Sequence, residues 1–290
     1  MTLTNLLILL IKTSLISLMV GLGLGLEINA LATFRHRPWL ILRVLLGTCV
    51  LVPLAGLALL NLPIRSELSI GARFGIALMA LCPSAPLTLR KAHLQGGDRH
   101  LAALLQVLAA LVAIVSIPLL SDVFRSVHHV SGWDISPKTV ALQVALVQVL
   151  PLTVGLLVRQ RFPEQGARWA IRIQKVAMMV TLAVVGVVLF MVFPKLLSFF
   201  KANLGGLAAM VLMTAIALGI GSLLGQGGTP EERTTTALVT SMRNPGLALL
   251  IAITHGKEVP GVRLAIVTYL LVTILASIPF LRWSRVQGTS

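Results

Sequence analysis

The sequence predicts an all-α integral membrane protein of nine transmembrane spans, arranged as an inverted-topology repeat with two discontinuous helices. Three observations carry that expectation. Of 290 residues, 57% are hydrophobic and 11% charged, with a mean hydropathy of +0.95, whereas a soluble chain carries roughly twice that charged fraction. Apolar runs of about 20 residues, the length that crosses hydrocarbon, recur along the whole chain. Two of those runs are broken at corresponding places, Cys82-Pro83-Ser84-Ala85-Pro86 and Arg243-Asn244-Pro245-Gly246.

The runs fall at about 4–26, 38–60, 68–95, 98–120, 137–158, 168–193, 203–225, 232–256 and 260–282, the third and eighth being the broken ones. Adding 161 to the first four gives 165–187, 199–221, 229–256 and 259–281, within a few residues of the last four. The same offset places Ser116-Ile117-Pro118-Leu119-Leu120 on Ser277-Ile278-Pro279-Phe280-Leu281. The chain therefore reads as a single membrane domain, residues 1–290, with repeat one at about 4–120 and repeat two at about 137–282. The span 137–158 has no partner. Each matched pair lies five spans apart, an odd number, so the two copies are expected upside down to each other.

The N-terminal run is read as the first span and not as a cleaved leader. No positive charge precedes it, Lys12 interrupts it, and no small-residue cleavage pattern follows. Gly21-xxx-Gly25, Gly71-xxx-Gly75 and Gly221-xxx-Gly225 predict close helix packing. Gly21, Gly23 and Gly25 lie in an apolar span with no strand before them, so they are not a phosphate loop.

A net charge of +15 could suggest nucleic acid, but the 24 basic residues are scattered in short loops without a basic stripe or interleaved aromatics. Orientation explains them better. Loops on one side hold thirteen Lys and Arg, those on the other eight, and Lys12, Arg43 and Arg243 lie within spans. The loop 159–175 alone carries five, against Glu164. The positive side is cytoplasmic, which puts the N-terminus outside and the C-terminus inside, in a bacterial inner (plasma) membrane, with attraction to anionic lipid secondary.

Breaks in membrane helices free backbone groups that hydrocarbon cannot satisfy, so each faces protein, water or ligand. Paired breaks in two halves point to a transporter's binding site. Arg243 sits midway between Arg233 and His255, where a charge costs about 2.5–3.5 kcal/mol on the lenient insertion scale. It either binds an anionic substrate beside a half-helix N-terminus or caps a half-helix C-terminus, and the two roles can coexist. Asn244, Thr88, Ser84, Thr240 and Ser241 are the further candidate binding residues. Their hydroxyls equally suit back-bonding to helix carbonyls. Pro83, Pro86, Pro245 and Gly246 make the breaks. Asp98 is expected to cap span four, and Glu27 to end span one at the cytoplasmic interface. Cys49 and Cys82 lie in apolar runs, and the histidines lack ligand spacing, so neither a disulfide nor a metal site is expected. No zinc-helix, nucleophile-elbow or kinase signature is present, which reads as no enzyme and no cofactor.

On these residues the chain resembles the bile acid:sodium symporter superfamily over nearly its whole length. The landmarks are the region from Pro38 to Pro53, Cys82-Pro83 followed by Gly97-Asp98, and Arg233-Thr234 leading to Asn244. The resemblance implies that the two broken helices cross at the membrane centre in a core domain. Spans three, four, eight and nine, with elements of span two or seven, would form that core, and spans one, five and six would lead a panel that rocks against it. The sodium motifs depart from the family. Thr88-Leu89 stands where a Ser-Asn pair is usual, and Ala102 and Gln106 replace hydroxyls. Val239 replaces a Glu, Arg243 a Gln, and Thr48 the Gln before the span-two proline. Thr88 and Asn244 alone remain plausible ligands.

These residues imply a secondary transporter of a small organic anion with weak or absent sodium coupling. Arg243 would stand in for the cation, and proton coupling or facilitated exchange stays open. A sodium-coupled bile-acid-type symporter and metalloid oxyanion efflux are alternatives. A non-transporting membrane sensor would be expected to bring an output domain, for which the tail after the last span leaves little room. The expected partners are the substrate and lipid, not nucleic acid, with the protein a monomer or homodimer.

Overall fold

A computed structural model describes residues 3–26, 36–63, 67–83, 88–128, 136–255 and 259–288. All regular structure among them is helical. In chain order the helices are α1 (Leu3–Gly25), α2 (Pro38–Asn61), α3 (Ile70–Leu81), α4 (Thr88–Leu94), α5 (Arg99–His128), α6 (Pro137–Arg161), α7 (Pro163–Ala202), α8 (Leu204–Leu224), α9 (Pro230–Ser241), α10 (Pro245–His255) and α11 (Val262–Gly288). Among the described residues, eight segments are long and apolar enough to cross a membrane: α1, α2, α5, α6, α7, α8, the α9–α10 pair and α11. The third predicted run instead appears as the twelve-residue α3 and the seven-residue α4.

Helix starts follow local chemistry. Pro38, Pro137, Pro163 and Pro230 stand in the first turn of α2, α6, α7 and α9, where a missing N–H costs nothing. Ser69 Oγ accepts from Ala72 N at 3.2 Å to cap α3. Thr229 and Glu232 form a reciprocal capping box on α9. Asp98 caps α5 as its position predicts, its Oδ1 accepting from His100 N at 2.8 Å and Leu101 N at 3.0 Å. Glu27 lies outside the described residues.

The expected cytoplasmic loop 159–175 is not a loop. Helix α6 runs to Arg161, and after Phe162 alone α7 begins at Pro163 and continues for 40 residues, about 60 Å at 1.5 Å per residue. Proline at the first helical position and Glu164 in the first turn favour helix there, and the basic residues then lie along it. Glu164 and Arg168 pair at i, i+4 with 3.8 Å between them.

Each of the three glycine pairs receives another helix. A Cβ on Gly21 would meet Gln174 Cγ at 2.8 Å, and one on Gly25 would meet Gln174 Nε2 at 2.7 Å. Gln174 uses that groove to donate from Nε2 to Gly21 O at 2.6 Å. Gly23 faces the other way, onto the Leu152–Gly155 backbone of α6. One helix thus packs closely against α6 and α7, joining the three spans assigned to a panel. On the other body, Gly221 lies under Thr236 and Ala237 of α9, and Gly75 under Ala265 of α11. The largest apolar cluster joins α3, α8, α10 and α11 through residues such as Phe74, Met213, Leu250 and Tyr269.

Candidate functional site

The two interrupted helices are built alike. Helices α3 and α9 each hold twelve residues, start behind a hydroxyl N-cap and end in an extended residue, Cys82 (φ −87, ψ 99) and Met242 (φ −79, ψ 103). Those end residues donate back to Leu78 O at 3.0 Å and Leu238 O at 2.9 Å. The half-helices correspond at an offset of 160, so the 161 read from the sequence is out by one here. A local pairing of prolines and serines cannot see which residue ends the helix. The breaks also touch directly, since Asn244 N donates to Cys82 O at 3.1 Å.

A helix leaves its last four carbonyls unpaired, and in a membrane interior each must find a donor. Arg243 supplies them. Its Nε donates to Met79 O at 3.0 Å and its Nη2 to Ala80 O, both at the end of α3. Its Nη1 donates to Thr240 O at 3.4 Å, at the end of α9. The same nitrogen reaches Thr48 O at 3.0 Å and Thr48 Oγ1 at 3.1 Å. Thr48 lies in a π turn of α2, Gly47–Leu51, and Thr48 Oγ1 donates to Val239 O at 3.5 Å. One guanidinium, 2% exposed, therefore closes the negative ends of both half-helices. This is the capping role. Arg243 lines none of the cavities described below.

Asn244 caps α10, with Oδ1 accepting from Leu247 N at 3.0 Å, while its Nδ2 is buried without a partner. It faces a small cavity of about 60 Å³ between α1, α7 and the start of α10, together with Pro245, Gly246, Ser14 and Thr181. Ser14 Oγ and Thr181 Oγ1 share a hydrogen bond of 2.5 Å across α1 and α7. A larger cavity of about 620 Å³ is lined by Leu18, Leu89, Arg99, Gln106, Lys175 and Met179 among others. An adjoining pocket of about 280 Å³ shares Leu22, Leu89, Arg99, Ile171 and Gln174 with it and adds His100 and Arg159.

The remaining sequence-derived candidates divide. Thr240 and Thr88 are fully buried, with their hydroxyls unpartnered. Ser241 Oγ back-bonds to Leu238 O at 3.4 Å. Pro83 follows Cys82 at the start of the first break. Ser84 and Pro86 lie outside the described residues. Five of the positions at which the resemblance implies sodium ligands fall into two groups. Ala102 and Val239 sit in one apolar cluster with Leu89 packed against it, while Thr48 and Arg243 bond to each other. Gln106, 2% exposed, belongs to neither group and lines the large cavity with both amide atoms unpartnered. No cluster of three or more His, Cys, Asp or Glu occurs among the described residues.

Sequence reasoning missed Ser14, Thr181, Arg99 and Lys175. The first two were detectable as hydroxyls in apolar spans facing glycine-rich packing. The basic pair was absorbed into the orientation count.

The profile of the Sodium Bile acid symporter family matches residues 13–199, well over half the chain, and the chain belongs to that family. The uncharacterized sodium-dependent transporter YocS of Bacillus subtilis (strain 168) is 24% identical over 261 residues, covering 86% of this chain and 75% of that protein. Membership and the apolar helices together make this a membrane-embedded secondary transporter.

Proposed function

We propose that this member of the sodium bile acid symporter family moves a small organic anion by alternating access without sodium coupling. The observation that carries the reading is how the positions of the family's sodium ligands are filled. Hydrocarbon from Leu89, Ala102 and Val239 occupies one group, and the Arg243 guanidinium, bonded to carbonyls of two half-helices, occupies the other. A sodium ion needs several oxygens, and a guanidinium a few ångströms away opposes it by about 4 kcal/mol at intermediate dielectric. The tethered cation does permanently what a bound ion does transiently, neutralising the two negative helix ends.

Arg243 then acts on substrate indirectly. With the C-terminal ends closed, the N-terminus of α10 remains as the positive end at the crossing. There Asn244 Nδ2 and the Gly246 N–H are donors, with Ser14 and Thr181 on the opposite wall. Thr88, at the start of α4 with its buried hydroxyl unpartnered, would help orient the substrate from the first break. In this reading the chain makes nine crossings as an inverted repeat. A body of α2–α5 and α8–α11 rocks against α1, α6 and α7, with the N-terminus outside the bacterial inner membrane. The small 60 Å³ cavity would be the closed remnant of the site.

Sodium-coupled symport is the second reading, favoured by the name of the Bacillus relative. One measurement separates them: substrate uptake or binding with sodium replaced by choline. Unchanged activity is expected, and strong sodium dependence would overturn the proposal.

A further inference from the structure

Three cations lie within spans, and they are placed differently. Arg243 is bonded to the carbonyls of two breaks. Arg43 is exposed five residues from Pro38, about 7.5 Å along the helix, and such a side chain snorkels to a nearby helix end. Lys12 has no such exit. Leu15, the middle residue of the Asn5–Gly25 span, lies against the second break, where a Cβ on Gly246 would meet its Cδ2 at 3.1 Å. Lys12 is one turn from that level, and about 10 Å past Asn5, further than its four-carbon stem spans. Ile11, Ser14, Leu15 and Leu18 turn toward the small cavity at the crossing, whereas Lys12 is exposed on the other side of α1. Among the described residues it has no ion-pair or hydrogen-bond partner. Around it Leu6, Leu9, Thr13 and Ile16 are exposed too, at the three- and four-residue spacing of a helix–helix seam.

An ammonium facing hydrocarbon at that depth is costly, which points to an anionic group supplied from outside the chain. Lipid phosphates stay at the interface, beyond the reach of the stem. A second copy cannot bring a carboxylate to this level, because all nine acids of the chain fall at or beyond the ends of its apolar runs. A foreign helix can.

We propose that this side of α1 docks a transmembrane helix of a partner protein, apolar along the seam and carrying one Asp or Glu opposite Lys12. The carboxylate accepts from the Lys12 ammonium, and Leu6, Leu9, Thr13 and Ile16 pack against the partner's apolar side chains. With no water between them, the two charges attract far more strongly than at a surface. The docking face is held firmly from behind, since Ser14 bonds to Thr181 and Gln174 to Gly21 O. Because α1 also walls the small cavity at the crossing, the partner sits one helix away from it. The inference needs α1 to span the membrane and is independent of substrate and coupling ion.

The test places the donor-labelled full chain in phosphatidylcholine vesicles with acceptor-labelled polyleucine helices of about 20 residues. One helix carries Asp a turn from its centre, a second Leu and a third Lys at the same place. The Asp helix is expected to associate about ten-fold more tightly than the Leu helix. Lys12→Leu should remove that difference, and Lys12→Asp should reverse it in favour of the Lys helix. Neither change touches a packed contact, and an unaltered melting temperature of Lys12→Leu checks that the fold is intact. Equal association of the Asp and Leu helices, or a preference that survives Lys12→Leu, overturns the proposal and leaves the face to lipid. Energy transfer between two labelled copies of the chain, lost in Lys12→Leu without any peptide, assigns the face to a second copy and overturns it equally. In native membranes a photocrosslinker at Leu9 is expected to capture a helix with an intramembrane carboxylate, and to lose it in Lys12→Leu. No adduct, or an adduct with a helix lacking that acid, overturns the proposal.

Discussion

The two helix breaks have the same backbone and different chemistry. Both end twelve-residue half-helices at an extended residue, Cys82 or Met242, whose N–H returns to the carbonyl four residues back. Past that point the first break continues with Pro83, which has neither an N–H nor a charge. The second continues with Arg243, whose donors reach Met79, Ala80, Thr240 and Thr48. One side chain thus serves both breaks, and the Asn244–Cys82 backbone bond ties them further. The difference teaches that a duplicated break needs only one cation, provided the half-helix ends converge on it.

The largest expected effect comes from removing that shared cation. Arg243→Ala leaves carbonyls of three helices without donors inside the membrane, for a loss of about 3–5 kcal/mol, read as a lower melting temperature of the detergent-solubilised protein. Millimolar guanidinium should restore part of the loss by entering the vacated space. Because oxygens line that space, sodium should stabilise this variant more than choline does, a difference the wild type should lack. Failure of both rescues would show that the arginine is not a stand-in for a cation.

Arg243→Lys sharpens the comparison. An ammonium keeps the charge but cannot fork to α2, α3 and α9 together, so an intermediate loss of about 2 kcal/mol is expected in the same melt. A loss as large as that of Arg243→Ala would mean that geometry, not charge, holds the crossing. Asn244→Ala removes a cap and should cost about 1 kcal/mol, together with any substrate-induced stabilisation, because the Nδ2 donor goes with it. At the first break Cys82 contributes mainly backbone, so Cys82→Ala should cost about 1 kcal/mol or less. Unimpaired uptake by Cys82→Ala beside impaired uptake by Asn244→Ala would show that Asn244 presents its side chain to substrate and Cys82 does not.

Much of this was legible in the chain. Residues that cannot continue an apolar helix mark the breaks, and the glycine pairs announced helix contacts because only small residues admit a neighbouring backbone. Asp98 declared its cap by position. The 40-residue α7 was misread because clustered arginines and lysines look like a loop to a hydropathy window. A proline followed by a glutamate there starts a helix that carries those charges outward. The half-helix ends correspond at 160 and not 161, since helix ends are set by hydrogen bonding and not by matching letters.

By itself the sequence determined the class, an all-helical membrane protein, because composition, run length and helix-breaking residues act locally and a bilayer tolerates few alternatives. It also left Arg243 with two possible duties. The tertiary structure showed the capping duty by bringing Met79, Ala80 and Thr48, more than 160 positions away, to the guanidinium. It likewise set Arg99 and Lys175 around one cavity with an unpaired Gln106 between apolar walls. Such meetings depend on how helices cross, and no local rule about charge or spacing contains that information.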